Sequence, residues 1–231
     1  MNETTDVPPQ FIDSLVDSGV FENLSPPLQA AMFLGSLVFI TAILVSVTSF
    51  TRIVIVLSFV RRALATQEIP STPTVIGLSL FLTMFTMGPV IDGINQDAIN
   101  PYLAKAISGP DAIRKASRHL HGFMIKHTRK RDLELFIQLS NSRSPSVAEE
   151  TSFRTLIPAF MISELKTAFI MGFCIYIPFI LIDLLVSTVL MSLGMMMMPP
   201  VVVSAPIKLL LFVLVDGWHL VSMALGSSFL T

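Results

Sequence analysis

Five charged side chains, Glu164, Lys166, Asp183, Lys208 and Asp216, are set in the otherwise largely apolar residues 155–231, and Arg52 stands alone in an apolar run nearer the start. An acid or base at mid-membrane costs about 2.5–3.5 kcal/mol on insertion scales, so such groups normally face protein or water. Glu164 and Lys166, two positions apart on a helix, point about 200° apart and cannot pair with each other. Each therefore needs a different partner. Asp183 and Asp216 invite comparison with a proton relay, but structural pairing explains Arg52, Asp183, Lys208 and Asp216 with fewer assumptions.

A second chemistry lies in Met195, Met196, Met197 and Met198, followed by Pro199 and Pro200. Four consecutive thioethers cannot share one helix face, and two prolines bar a regular helix directly after them. The spacing predicts a loop of unbranched, polarisable side chains. Several copies of such a loop around an axis would form a soft apolar constriction that closes by dewetting and reshapes around a polypeptide. The plainer reading is that the methionines fill an irregular core.

Other chemistries find little support. His119, His121 and His127 face apart on a helix, which predicts surface histidines and no metal site. Cys174, the single cysteine, excludes an intrachain disulfide and reads as an inert core thiol. No Gly-rich phosphate loop, catalytic triad spacing or paired catalytic carboxylates occur, so neither an enzyme nor a bound cofactor is expected.

The elements that must hold these residues follow from composition. Of 231 residues, 52% are hydrophobic and 13% charged, about half the charge of a soluble domain, and mean hydropathy is +0.73. This is an all-α, membrane-associated chain of kinked helical hairpins. Its net charge of −1 lacks the basic footprint of a nucleic-acid binder.

Residues 1–27 hold Glu3, Asp6, Asp13, Asp17 and Glu22 without Lys or Arg. They lack the basic start and apolar run of a secretory signal, and read as a short acidic amphipathic helix or a solvated tail. Residues 28–91 form a first helical hairpin. Its charge-free part, residues 30–51, suffices to span, and Arg61 and Arg62 mark the cytoplasmic end. Residues 92–154 carry ten basic and seven acidic groups and predict a water-facing helical domain on the periplasmic side. Ile113, Leu120, Phe123, Met124, Leu135, Phe136 and Leu139 suit two amphipathic helices there. Residues 155–231 form a second set of kinked hydrophobic helices, two hairpins broken by Pro158, Pro178, Pro199, Pro200 and Pro206, with the Met-rich loop at 195–200.

Four stretches then carry a family resemblance. These are Thr48-Ser-Phe-Thr-Arg-Ile-Val-Ile-Val-Leu-Ser-Phe-Val-Arg-Arg-Ala-Leu-Ala-Thr-Gln67, Ile162-Ser-Glu-Leu-Lys-Thr-Ala-Phe169, Val189-Leu-Met-Ser-Leu-Gly-Met-Met-Met-Met-Pro-Pro200 and Leu211-Phe-Val-Leu-Val-Asp-Gly-Trp218. The chain resembles the FliP family of flagellar export-gate proteins, which includes the SctR relatives of virulence type III secretion. Thr51-Arg52, residues 123–129 and the Asp216-Gly-Trp218 ending look more flagellar. Arg61-Arg-Ala-Leu-Ala65 departs from the usual Arg-Asn-Ala-Leu-Gly.

The resemblance implies a non-enzymatic subunit of the bacterial inner membrane and flagellar basal body. Five copies, completed by FliQ-like and FliR-like subunits, would line a channel for unfolded flagellar polypeptides, beside FlhA-like and FlhB-like components. It also implies that Glu164 meets Lys208 of a neighbouring copy, with Lys166 a further intersubunit charge; the residues alone equally allow an intrachain pair. The rivals are an SctR-like virulence gate, a passive scaffold, and a solute channel, the last of which would need repeated halves that the sequence does not show.

Overall fold

Residues 28–60 contain no proline and would run as one helix on hydropathy alone, yet they fold as two. The computed structural model describes residues 25–65, 69–140, 151–195 and 197–230; the acidic segment lies outside these up to residue 24, and so does Met196. Helix α1 spans Pro26–Val47 and α2 spans Phe50–Ala63. The break falls at Thr48, which is extended (φ −114°, ψ 176°). Here hydroxyls compete with the helical ladder: Phe50 N–H donates to Thr48 Oγ1 (3.4 Å), Thr51 Oγ1 to Val45 O (3.0 Å), and Ser49 Oγ meets Thr86 Oγ1 (2.7 Å). The consequence is functional, because Arg52 sits in the first turn of α2 instead of mid-span.

Helix α3 (Thr72–Thr86) returns beside α2, with Ser71 capping Thr74 N–H and Pro73 in its first turn. It bends by 56° into α4 (Gly88–Ile94), which passes through a π-helical turn (Asn95–Ile99) into α5 (Asn100–Leu103). Next come α6 (Gly109–His127), capped by Ser108, and α7 (Lys130–Leu139). Phe123 and Met124 are buried as expected, and Leu120 and Leu133 pack on the core. Ile113, Leu135 and Leu139 are exposed, so the apolar faces of these two helices are only partly covered.

Helix α8 is continuous over Phe153–Ser192, 40 residues with Pro158 and Pro178 inside it. The expected interruption at these two prolines does not occur: each removes one backbone donor without ending the helix, as membrane-type helices tolerate. At 1.5 Å per residue α8 is about 60 Å long, twice a hydrocarbon core of about 30 Å. It reverses through the Met-rich loop into α9 (Pro200–Leu214), which packs back on it, and a 63° bend leads to α10 (Gly217–Leu230). At that bend a Cβ on Gly217 would lie 2.3 Å from the Phe212 ring, so the Asp216-Gly-Trp218 motif needs its glycine for close approach.

The core lies where α2 and the first third of α8 meet α6 and α10. Ile53, Val56, Leu156, Phe160, Met124 and Leu225 are all inaccessible there, and the Phe123 ring lies 5.9 Å from Phe160 and 6.2 Å from Phe229. Further along, Phe59 of α2 presses on Gly172 so closely that a Cβ would sit 2.5 Å from the ring. Elsewhere the helices face outward. The most apolar windows of α1 and α8 are only 7% and 11% buried, and both helices are long and apolar enough to cross a membrane, or up to four spans exist if each bent pair is one.

Candidate functional site

Two charged centres sit on α8, nineteen residues apart, about 28 Å along its axis. The first is built around Arg52. Its Nε donates to Glu164 Oε2 (2.8 Å) and its Nη2 to Glu164 Oε1, a bidentate pair. Its Nη1 donates to the Ser228 carbonyl (3.1 Å) and to Ser228 Oγ (2.9 Å). The guanidinium carbon stands 3.9 Å over the Phe229 ring, a favourable cation–π arrangement. Glu164 is wholly inaccessible and Arg52 3% exposed. The rigid fork of arginine suits this task, since it satisfies a carboxylate and a helix-end carbonyl at once. Residues 176 positions apart are thereby tied together, joining α2, α8 and α10.

Within one chain Glu164 gives both oxygens to Arg52, and Lys208 is held by Asp183 (below). Lys166 is exposed, consistent only with the point that it cannot share a partner with Glu164.

Beside this centre the α6–α7 turn is riveted to α8. Arg129 N–H donates to Ser163 Oγ (3.0 Å), Ser163 Oγ donates to Asp132 Oδ2 (2.7 Å), and Arg129 Nη2 donates to Thr167 Oγ1 (3.1 Å). Ser163 and Thr167 lie one turn apart, so the α6–α7 turn rests on a single face of α8. His127, expected at the surface, is half-buried. Its Nδ1 donates to Phe123 O (2.8 Å), its ring lies 5.3 Å from Phe229, and its buried Nε2 has no hydrogen-bond partner. Burial, helped by the nearby Arg52 charge, pushes its pKa below the usual histidine value. The other two histidines serve elsewhere: His119 Nε2 meets Asp97 Oδ2 (2.9 Å), and His121 Nε2 donates to Thr151 O (2.7 Å). Among the described residues no three His, Cys, Asp or Glu converge on a metal-sized site.

The second centre clamps the α8–α9 hairpin. Asp183 accepts from Ser204 Oγ at Oδ1 (2.6 Å) and from Lys208 Nζ at Oδ2 (2.6 Å). The Lys208 side chain is 4% exposed and that of Asp183 36%. Beyond the clamp, residues 184–207 carry no charge. The hairpin tip is the loop the sequence predicted: Gly194 takes φ +76°, and Met195, Met197 and Met198, with Pro199 and Val202, line an open pocket of about 580 Å³. Met195 and Met198 are each 40% exposed and Met197 98%; Met196 lies outside the described residues.

Two expectations fail at the surface. Asp216 is exposed at the α9–α10 bend, with φ +51°, because the turn needs a left-handed residue there. Cys174 is exposed on α8, because that face of the helix has no neighbour within the chain. Sequence reasoning missed Ser163, Thr167, Asp132, Ser204, Ser228 and Phe229. The available signal was the recurrence of Ser and Thr in apolar helices, where a hydroxyl is worth placing only if it is bonded.

Comparisons with known proteins complete the picture. The FliP family profile matches residues 33–225. The flagellar biosynthetic protein FliP of Bacillus subtilis (strain 168) is 49% identical over 208 residues, 90% of this chain and 94% of that protein. The protein of that name from Aquifex aeolicus (strain VF5) is 44% identical over 209 residues, covering 90% and 87%. The one from Buchnera aphidicola subsp. Baizongia pistaciae (strain Bp) is 51% identical over 205 residues, 89% of this chain but 57% of that longer relative.

Proposed function

The chain belongs to the FliP family, and from that premise we propose that it is a non-enzymatic subunit of the bacterial flagellar type III export gate. In this reading several copies, five by family resemblance, assemble with FliQ-like and FliR-like subunits in the inner membrane, beside FlhA-like and FlhB-like components. Their α8–α9 hairpins converge on a common axis, and unfolded flagellar polypeptides pass between the tips. The domain of residues 92–154 stands on the periplasmic side.

One observation carries the proposal: a hairpin tip that is apolar, charge-free over residues 184–207 and open, with Met197 98% exposed. Apolar groups so placed favour contact with other apolar surface. Methionine suits a seal that must re-form around changing cargo, being unbranched, polarisable and free to change rotamer. The Asp183–Lys208 clamp fixes the base of the hairpin, so the tip moves against a rigid support. Contacts between copies rest on the exposed apolar faces.

The test replaces Met195, Met197 and Met198 together by Ser. Cells carrying the assembled variant gate should conduct small ions across the inner membrane and secrete flagellar subunits at an altered rate. Unchanged conductance and unchanged secretion would leave a passive scaffold as the better account.

A further inference from the structure

The tip of the α8–α9 hairpin carries a donor chemistry that its hydrophobicity does not need. Leucine would cover it equally well with apolar surface; methionine adds sulfur, a soft and polarisable donor. The backbone brings these residues together. Met195 N–H donates to Leu190 O (3.0 Å) as α8 ends, Gly194 turns the chain at φ +76°, and Met198 N–H donates to Met195 O (3.4 Å). A turn closed by such a bond sets its first and fourth Cα within about 7 Å. Met195, Met197 and Met198 accordingly line one pocket, and the rotatable bonds of each side chain let the three sulfurs close on a common point.

The surroundings decide which ligand suits these donors. Residues 184–207 contain no Asp, Glu, His, Cys, Lys or Arg, so nothing along the hairpin tip neutralises a divalent ion. Calcium and magnesium take oxygen ligands, and zinc sites are built from thiolate, imidazole and carboxylate. Neutral thioethers instead select a soft monovalent cation, of which Cu(I) is the biological example. The sulfur-bearing side chains are open to it, with Met197 the most exposed of the three.

We propose that Met195, Met197 and Met198 form a thioether site for a soft monovalent cation, Cu(I) or its analogue Ag(I), within a single chain. The bound ion fixes methionine rotamers that are otherwise free and places a positive charge on an uncharged tip. The Asp183 clamp with Ser204 and Lys208 holds the hairpin base, so the ion orders the tip alone. In the export reading such an ion would stiffen the seal. The site does not rest on that reading, because one purified chain suffices to bind, and failure to bind would leave the export reading standing.

The experiment is native mass spectrometry of the full chain, purified in detergent with Cys174 replaced by Ser, since that exposed thiol is itself a ligand for soft metals. Ag(I), which needs no reductant, is offered at one equivalent. The Cys174→Ser chain should retain one silver ion, and excess Zn(II) should not displace it. In that background M195L/M197L/M198L, which keeps the tip apolar, should lose the ion with its denaturation midpoint unchanged. Met197→Leu alone, at a position too exposed to affect folding, should weaken retention. M84L/M223L, which removes two exposed methionines from other helices, should leave it intact. X-ray absorption of the Cu(I)-loaded chain should show a first shell of sulfur alone. No ion on the Cys174→Ser chain, an ion that survives the tip substitutions, an equal loss in M84L/M223L or displacement by zinc would each overturn the site. So would nitrogen or oxygen in the copper shell, or one ion shared between two chains.

Discussion

The two charged centres of α8 use the same elements, an ion pair and a serine hydroxyl, to opposite ends. At Glu164 the charges are closed off by three helices drawn from the start, middle and end of the chain, and nothing in that centre requires another molecule. At Asp183 the pair spans only the neighbouring arm of a hairpin, stays partly open on its acidic side, and supports a tip with no cover at all. The contrast is a structural division of labour: one centre closes the protomer, and the other supports a hairpin tip whose apolar surface stays uncovered.

Removing one partner from a closed centre should be the most damaging change. Glu164→Ala strands the Arg52 guanidinium in a dry site, with an expected loss of about 3–5 kcal/mol, visible as a large drop in the denaturation midpoint of the detergent-purified protein. The double change R52L/E164L should recover much of that loss, since apolar replacement of a whole buried pair is often close to neutral. If the double variant is as unstable as the single one, the centre is not a self-contained pair.

At the hairpin the same operation should cost less. Asp183→Ala leaves Lys208 almost buried, at about 1–3 kcal/mol, whereas Asp183→Asn still accepts from Ser204 and should lose under half as much by the same measurement. Equal losses at Glu164 and Asp183 would erase the distinction between the two centres.

Much of this arrangement was legible in the residues. The apolar helices, the amphipathic helices α6 and α7 and the methionine loop all follow from where charges and prolines fall, because burying or exposing apolar surface is the dominant energy term. The partnerships were not legible. Arg52 and Glu164 are 112 residues apart, and no spacing rule says that α2 lies against α8 with the two charges at one level. The break at Thr48 was hidden because it depends on Ser49 meeting Thr86 on α3, a tertiary contact. Pro158 and Pro178 misled in the other direction, as proline weakens a helix without always ending it.

A smaller effect concerns pH on the protomer side of the comparison. Burial holds the His127 pKa below the ordinary 6.5, so the folded protein binds this proton less tightly than the unfolded chain does. Stability is complete above the unfolded value and falls as pH drops through 6.5 toward the folded one. The denaturation midpoint should decrease between about pH 7.5 and 5.5, and His127→Gln should flatten that slope. An identical slope in the variant would place the titrating group elsewhere.

The smallest effect on folding belongs to the tip. Serine at Met195, Met197 and Met198 should move stability by no more than about 0.5 kcal/mol, because these side chains bury little within one chain, even as it alters conductance and secretion. A large loss of stability would mean that the loop packs as core.

The most direct measurement asks whether hairpin tips meet. With Cys174 replaced by Ser, Met197→Cys carries a lone thiol at the tip, and membranes from cells making all gate subunits are treated with a mild oxidant. The account predicts a covalent dimer of the chain that forms in the assembled gate and not in detergent-purified single copies. A thiol that stays monomeric in the assembled gate, while reacting freely with a water-soluble maleimide, would contradict it.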